Sequence, residues 1–152
     1  MKQEFLSIRI VHASLGMGAL LFFLVVYFMF GEETYAQDAG QDFAFFKYLT
    51  PILVVSGLLL SRVMDRARLG AFKTPAELSE KLVDYRSRVV LRSALIEGPT
   101  LFAVIGLLLT GDKINALYFA IGWLALLYVR PYMAEFVRDY KLSVKEEQEM
   151  MQ

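Results

Sequence analysis

Val89–Thr110, VVLRSALIEGPTLFAVIGLLLT, decides how the rest of the chain is read. At 1.5 Å per residue these 22 residues cover roughly 30 Å, the thickness of a hydrocarbon core, so the stretch predicts a membrane-spanning helix. Inside it lie Arg92, Glu97 and the pair Gly98-Pro99. A carboxylate at that depth costs about 2.5–3.5 kcal/mol, which marks Glu97 as a functional candidate. Helical geometry sets Ser93, Leu101, Val104 and Leu108 on the face of Glu97 and turns Arg92 nearly the opposite way. Pro99 removes one backbone donor and frees the carbonyl of Leu95, so a kink is expected beside Glu97.

The composition of the 152 residues agrees with a home in lipid: 57% are hydrophobic, 14% aromatic, and the mean hydropathy is +0.46. Sixteen basic and sixteen acidic residues cancel, which argues against nucleic acid as a partner. With no cysteine and one histidine, disulfides, thiolate metal sites and bis-histidine haem ligation within the chain are excluded, and no metal or cofactor is expected.

Outward from the central stretch, three more apolar runs appear. Residues 10–30 predict a first span; at about 21 residues the run exceeds the roughly 7–15 residues of a signal-peptide core, the competing reading. Ser14, Gly16 and Gly18 lie on it at spacings that permit close helix approach. An acidic loop follows over 31–42, then a second span over 43–61 with Pro51 in its early turns and Gly57 and Ser61 at small-xxx-small spacing. Residues 62–88 form a basic polar segment. In it, Thr74-Pro75-Ala76-Glu77 reads as a capping box, so the third helix is expected to start near Pro75, outside the membrane, and run unbroken into the span at 89–110; a separate surface helix is the alternative. Gly111-Asp112-Lys113 is a tight reversal into a fourth span over 114–132, and the tail 133–152 should emerge as a frayed helix. The expected fold is therefore all-α: a single domain forming a four-helix transmembrane bundle with a helical cytoplasmic segment between helices two and three. Twelve of the sixteen basic residues fall in the N-terminus, middle segment and tail, and Arg92 and Arg130 lie near the same ends of their spans, against Lys47 and Lys113 on the other side. The positive-inside rule then places both termini in the cytoplasm, in a multi-pass protein of the bacterial inner-membrane type.

Candidate chemistry concentrates near that cytoplasmic edge. His12 and Glu97 lie at similar depth and, if they meet, form a proton-sensitive pair; otherwise Glu97 is structural, protonated and donating to a carbonyl freed by Pro99. Arg9, Arg62, Arg92 and Arg130 are placed to touch anionic lipid headgroups or simply to set topology. No catalytic motif is present, so an enzyme is not expected.

Ala94-Leu95-Ile96-Glu97-Gly98-Pro99-Thr100-Leu101-Phe102 resembles the carboxylate helix of the rotor proteolipids, the c subunits of rotary ATP synthases, over roughly 20 residues. There an Ala-Leu-x-Glu stretch carries the transported proton or sodium ion, and the resemblance implies that role for Glu97 alone. The glycine-repeat helix and the polar Arg-Gln-Pro loop of that family have no counterpart here. Two functions are thus expected: a structural or accessory membrane component working through helix–helix contacts, in a homo-oligomer or larger complex, or a proton- or ion-handling protein built on Glu97.

Overall fold

A computed structural model describes residues 2–29, 43–72 and 77–151. The acidic loop over 31–42 and the Thr74-Pro75-Ala76 start signal lie outside them. Among the described residues there are six helices and no strand: α1 Lys2–Met29, α2 Phe46–Ala71, α3 Leu78–Thr110, α4 Ile114–Tyr128, α5 Met133–Tyr140 and α6 Val144–Met151. Helix α3 is the axis, packed against α1, α2 and α4. Helices α1, α2 and α3 are each long and apolar enough to cross a membrane.

Helix α3 runs unbroken for 33 residues, through Pro99, from the polar segment into the apolar one. Its N-cap is Glu77, whose side chain accepts from the backbone of Glu80 while the Glu77 N–H donates to Glu80 Oε2 at 3.3 Å. Spacing alone offers two registers for this box, Thr74 with Glu77 or Glu77 with Glu80, because glutamate recurs three residues on. At the other end Gly111 sits in the left-handed region, φ 65°, a conformation that costs glycine least, and its N–H closes the helix on the Leu107 carbonyl at 2.9 Å.

Three expected boundaries move. Helix α2 does not stop at residue 61 but continues to Ala71, since good helix formers such as Arg62, Met64, Arg66, Ala67, Arg68 and Leu69 follow and no breaker comes before Gly70. That extension carries Asp65 and Arg66 into the polar end of the bundle. Helix α4 ends at Tyr128 rather than 132, because Pro131 bars a helical continuation and pushes the residue before it out of helical geometry. Its 15 residues cover only about 22 Å. It makes a fourth candidate span only when joined to α5, across a bend of 64°. The tail is not frayed: α5 and α6 fold back, burying Phe136, Tyr140, Leu142 and Met150 against Phe5, Ile8, Leu78, Leu82 and Tyr85.

A second core, of Ala19 and Val26 from α1, Ala103, Val104 and Leu107 from α3, and Phe119 from α4, fills the other half of the bundle. Small residues set its spacing. A Cβ added to Gly57 would fall 2.8 Å from Pro99 Cγ and 2.5 Å from the Leu95 carbonyl oxygen. A Cα–H of Gly57 therefore points at the carbonyl that Pro99 leaves free, a weak hydrogen bond in place of the missing one. Gly16 and Gly18 behave differently: an added Cβ meets nothing within 4 Å at either, so the close approach expected on this side of α1 is not made among the described residues, although the Trp123 indole donates to the Gly16 carbonyl at 3.0 Å.

Candidate functional site at the charged end

Where α2 ends and α3 begins, Arg88 and Arg92 lie one turn apart on the inward face of α3 and are buried, with 1% and 6% of their surface exposed. Two guanidiniums in that position require carboxylates, and three other turns of helix supply them. Asp65 of α2 takes both Arg88 Nε (3.1 Å) and Nη2 (2.9 Å), and Asp139 of α5 takes Nη2 at 3.1 Å. Glu135, one turn before Asp139, holds Arg92 through both carboxylate oxygens, Nη2 to Oε2 at 2.9 Å. Tyr85 closes the array by donating to Glu135 Oε2 at 2.9 Å, and Tyr140 donates to Asp84.

The electrostatics follow from these contacts. Burial alone would raise the Glu135 carboxyl, but the Arg92 hydrogen bonds and charge outweigh it and hold Glu135 below the usual carboxylate range. Burial, then the Glu135 carboxylate, pushes the Tyr85 phenol above its ordinary value, and burial with Asp84 does the same to Tyr140. Burial disfavours the charged Arg88 guanidinium, yet the hydrogen bonds it donates to Asp65 and Tyr140 more than compensate. Arg88, Arg92, Asp65, Glu135 and Asp139 each have an opposite charge within reach, and the network ties α2, α3 and α5 together.

Arg92 is not exposed at the edge of the bundle; it is buried and paired with Glu135, which the bend after α4 brings over it. Arg9, Arg62 and Arg130 do remain exposed. Arg62 lies 6.0 Å from the Tyr128 ring centroid and Arg130 4.6 Å from that of Tyr132.

One turn deeper, His12 of α1 reaches α3 and α4 together: Nδ1 is 2.8 Å from Ser93 Oγ and Nε2 is 3.1 Å from the Leu126 carbonyl. A carbonyl only accepts, so Nε2 carries a proton. Ser93 Oγ also lies 2.7 Å from the Val89 carbonyl, and its one hydrogen can serve only one of them. A neutral imidazole accepts it at Nδ1; an imidazolium donates to Oγ and sends the hydroxyl to Val89. Both states keep the ring bonded to two other helices.

The expected hydrogen bond between His12 and Glu97 does not form. Ser93, one turn before Glu97 on the same side of α3, takes the ring instead. Glu97 is half-buried between Ser93 and Leu101 and makes no hydrogen bond or ion pair among the described residues. No metal-binding cluster of histidine, aspartate and glutamate occurs among the described residues. Sequence reasoning missed Asp65, Tyr85, Arg88, Glu135 and Asp139. The chain matches no known protein family, no curated protein and no solved structure.

Proposed function

We propose that this chain is a multi-pass integral membrane protein of the bacterial inner-membrane type, with both termini and the 62–88 segment in the cytoplasm, serving as a structural or accessory component. The supporting observation is the contrast between a polar end locked by buried ion pairs and a bundle whose α1 and α2 turn large apolar side chains outward, among them Met17, Leu21, Phe28, Ile52, Val55 and Leu59. Such outward faces suit lipid and neighbouring helices, and the rigid end holds them in fixed register. On α1 the outward face includes Ser14 and Gly18, with nothing packed against Gly18, so contact with a second helix is expected there.

Chemical crosslinking in intact membranes and mass measurement in mild detergent test this reading. The wild-type chain should run as a homo-oligomer or in a larger complex, and Gly18→Leu should release a folded monomer of 17.3 kDa. A monomer by both methods before any substitution would sink the accessory role. Orientation is tested by Ser79→Cys and Gln37→Cys with an impermeant thiol reagent in intact cells. Gln37→Cys alone should be labelled, and the reverse pattern would invert the topology.

A second reading, proton or ion handling at Glu97, is favoured by the half-buried carboxyl without a protein partner and by the rotor-proteolipid resemblance. It requires that the infrared carboxyl band of Glu97 titrate, that it vanish in Glu97→Gln, and that the same substitution abolish proton flux into reconstituted vesicles. A Glu97→Gln protein indistinguishable from wild type in flux leaves only the accessory role.

A further inference from the structure

Beside the ion-pair network a cavity of about 490 Å³ opens between α2, α3 and the bend from α4 into α5. Five arginines line it, Arg62, Arg66, Arg92, Arg130 and Arg138, and only two carboxylates, Asp65 and Glu135. Both carboxylates are already committed: Asp65 is bidentate on Arg88, and Glu135 is bidentate on Arg92. Arg138 shares Asp139 with Arg88. Arg62, Arg66 and Arg130 have no carboxylate partner among the described residues, and Arg62 and Arg130 lie against the Tyr128 and Tyr132 rings instead. The cavity is therefore strongly positive, and cations gathered in a partly enclosed, low-dielectric space attract an anion far more than the same charges in open water.

A second observation points the same way. Arg92 is more than nine-tenths buried and lines this cavity, yet its Nε is a buried donor with no hydrogen-bond partner. Buried donors are nearly always satisfied, so the wall that Arg92 forms is short of acceptors as well as rich in positive charge. Guanidiniums are forks matched to the paired oxygens of phosphate. A water takes about 30 Å³ of liquid volume, so the space holds a phosphate with a substituent attached. The tyrosines at the mouth, Tyr128 and Tyr132, suit the boundary between lipid and water.

The geometry points to a binding site for a phosphate group, contacted by Arg62, Arg66, Arg130 and Arg138 over the buried guanidinium of Arg92. The phosphate belongs either to an anionic phospholipid headgroup or to a soluble phosphorylated ligand. This goes beyond the accessory role and stands without it, since a monomer carries the whole site.

The test uses the full chain in nanodiscs of neutral phosphatidylcholine. In one arm inorganic phosphate is titrated in; in the other, phosphatidylglycerol replaces part of the neutral lipid with no phosphate added. Thermal unfolding is read in both, with radiolabelled phosphate binding in the first. A saturable rise in unfolding temperature with phosphate assigns the site to a soluble ligand, and a rise with phosphatidylglycerol alone assigns it to a headgroup. Arg62→Gln and Arg138→Gln should each weaken the response about fivefold, the equivalent of one near-surface arginine. Unfolding of these variants without ligand should match wild type, as both side chains are exposed. Arg68→Gln and Arg86→Gln remove the same charge from exposed positions outside the cavity and should leave the response intact. The site is refuted if neither arm responds, or if Arg68→Gln and Arg86→Gln weaken the response as much as Arg62→Gln and Arg138→Gln, which is diffuse surface attraction.

Discussion

The two halves of the bundle are held by different physics. At the charged end the core is built of large aromatic rings, with Tyr85 and Phe136 at 5.0 Å and Phe72 and Tyr140 at 5.1 Å between centroids, wrapped around buried ion pairs. In the other half rings also stack, Phe23 on Phe119 at 4.2 Å and Phe46 on Phe102 at 4.9 Å, but the closest backbone approaches are made by Gly57, Gly106 and Gly122 against Pro99, Asn115 and Thr100. Water drives bulky apolar groups together, whereas lipid is as apolar as leucine and leaves only close fit to hold helices. Under the proposed membrane reading, the change of packing style near Arg92 and His12 falls where the aqueous phase would begin, and α3 runs through it unbroken.

If the comparison is right, the largest losses come from breaking the ion pairs. Asp65→Ala strips Arg88 of two hydrogen bonds while leaving it buried, and removing one partner of a buried pair costs about 3–5 kcal/mol. Because Asp139 still reaches Arg88, the loss should fall near the lower bound, about 3 kcal/mol, in reversible unfolding in detergent. A loss below about 1 kcal/mol would class this as a surface pair and erase the contrast.

In the apolar half the corresponding change is Gly57→Leu. Its Cβ alone would collide with the Leu95 carbonyl and the Pro99 ring, and overpacking of this kind costs about 1–3 kcal/mol. Gly16→Ala is the paired control: an added Cβ meets nothing within 4 Å, and a helix-interior glycine gains up to about 1 kcal/mol when replaced by a good helix former. Equal destabilisation by both would mean that packing density does not distinguish α2 from α1.

Much of this division was legible in the sequence, and the rest failed for a definable reason. Hydropathy and the start signal at Thr74-Pro75-Ala76-Glu77 predicted one helix running from the polar segment into the apolar one, because both signals are local. Arg88 and Arg92, and separately Glu135 and Asp139, are like charges four residues apart, an arrangement that destabilises an isolated helix. Each pair calls for the other, and that was the available signal. It went unread because Arg92 was matched only against Glu97 on its own helix, and because the bend at Pro131 that swings Glu135 onto Arg92 is a tertiary event. Glu97 was read as needing a partner inside the bundle; the polar atoms it was matched to, His12 above all, are used by Ser93 and Leu126.

Acid should separate the halves. Glu135 titrates below the usual range because Arg92 stabilises its charged form, so it contributes stability that is fully present above the ordinary carboxylate value of about 4.3 and is lost as pH falls through its depressed native value. Amide exchange of α5 should accelerate below about pH 4, while the Ala103–Leu107 turn of α3, with no titrating group in its core, stays protected. Simultaneous loss of protection in both segments would mean that the charged end and the bundle unfold as one unit.

The smallest expected effect isolates the tail. Lys81 Nζ reaches Glu146 Oε1 at 2.6 Å, and the Ser143 N–H reaches Oε2 at 2.7 Å. The Lys81 bond first, and the Ser143 bond second, hold the Glu146 carboxyl below its usual value. The sign matches that of Glu135: the contribution exists above the ordinary carboxylate range and disappears in acid. The magnitude does not match, because Glu146 is at the surface, where solvent screens the pair to about 0–1 kcal/mol. Helix α6 has a second hold, since Met150 is buried in the aromatic cluster. Glu146→Gln should therefore speed amide exchange across Val144–Met151 by no more than about fivefold, and raising the salt concentration should produce a similar change in the wild-type chain. Release of α6 by Glu146→Gln alone would show that the ion pair, rather than the methionine, fixes the tail, and would extend the ionic character of the charged end from its buried network out to its surface.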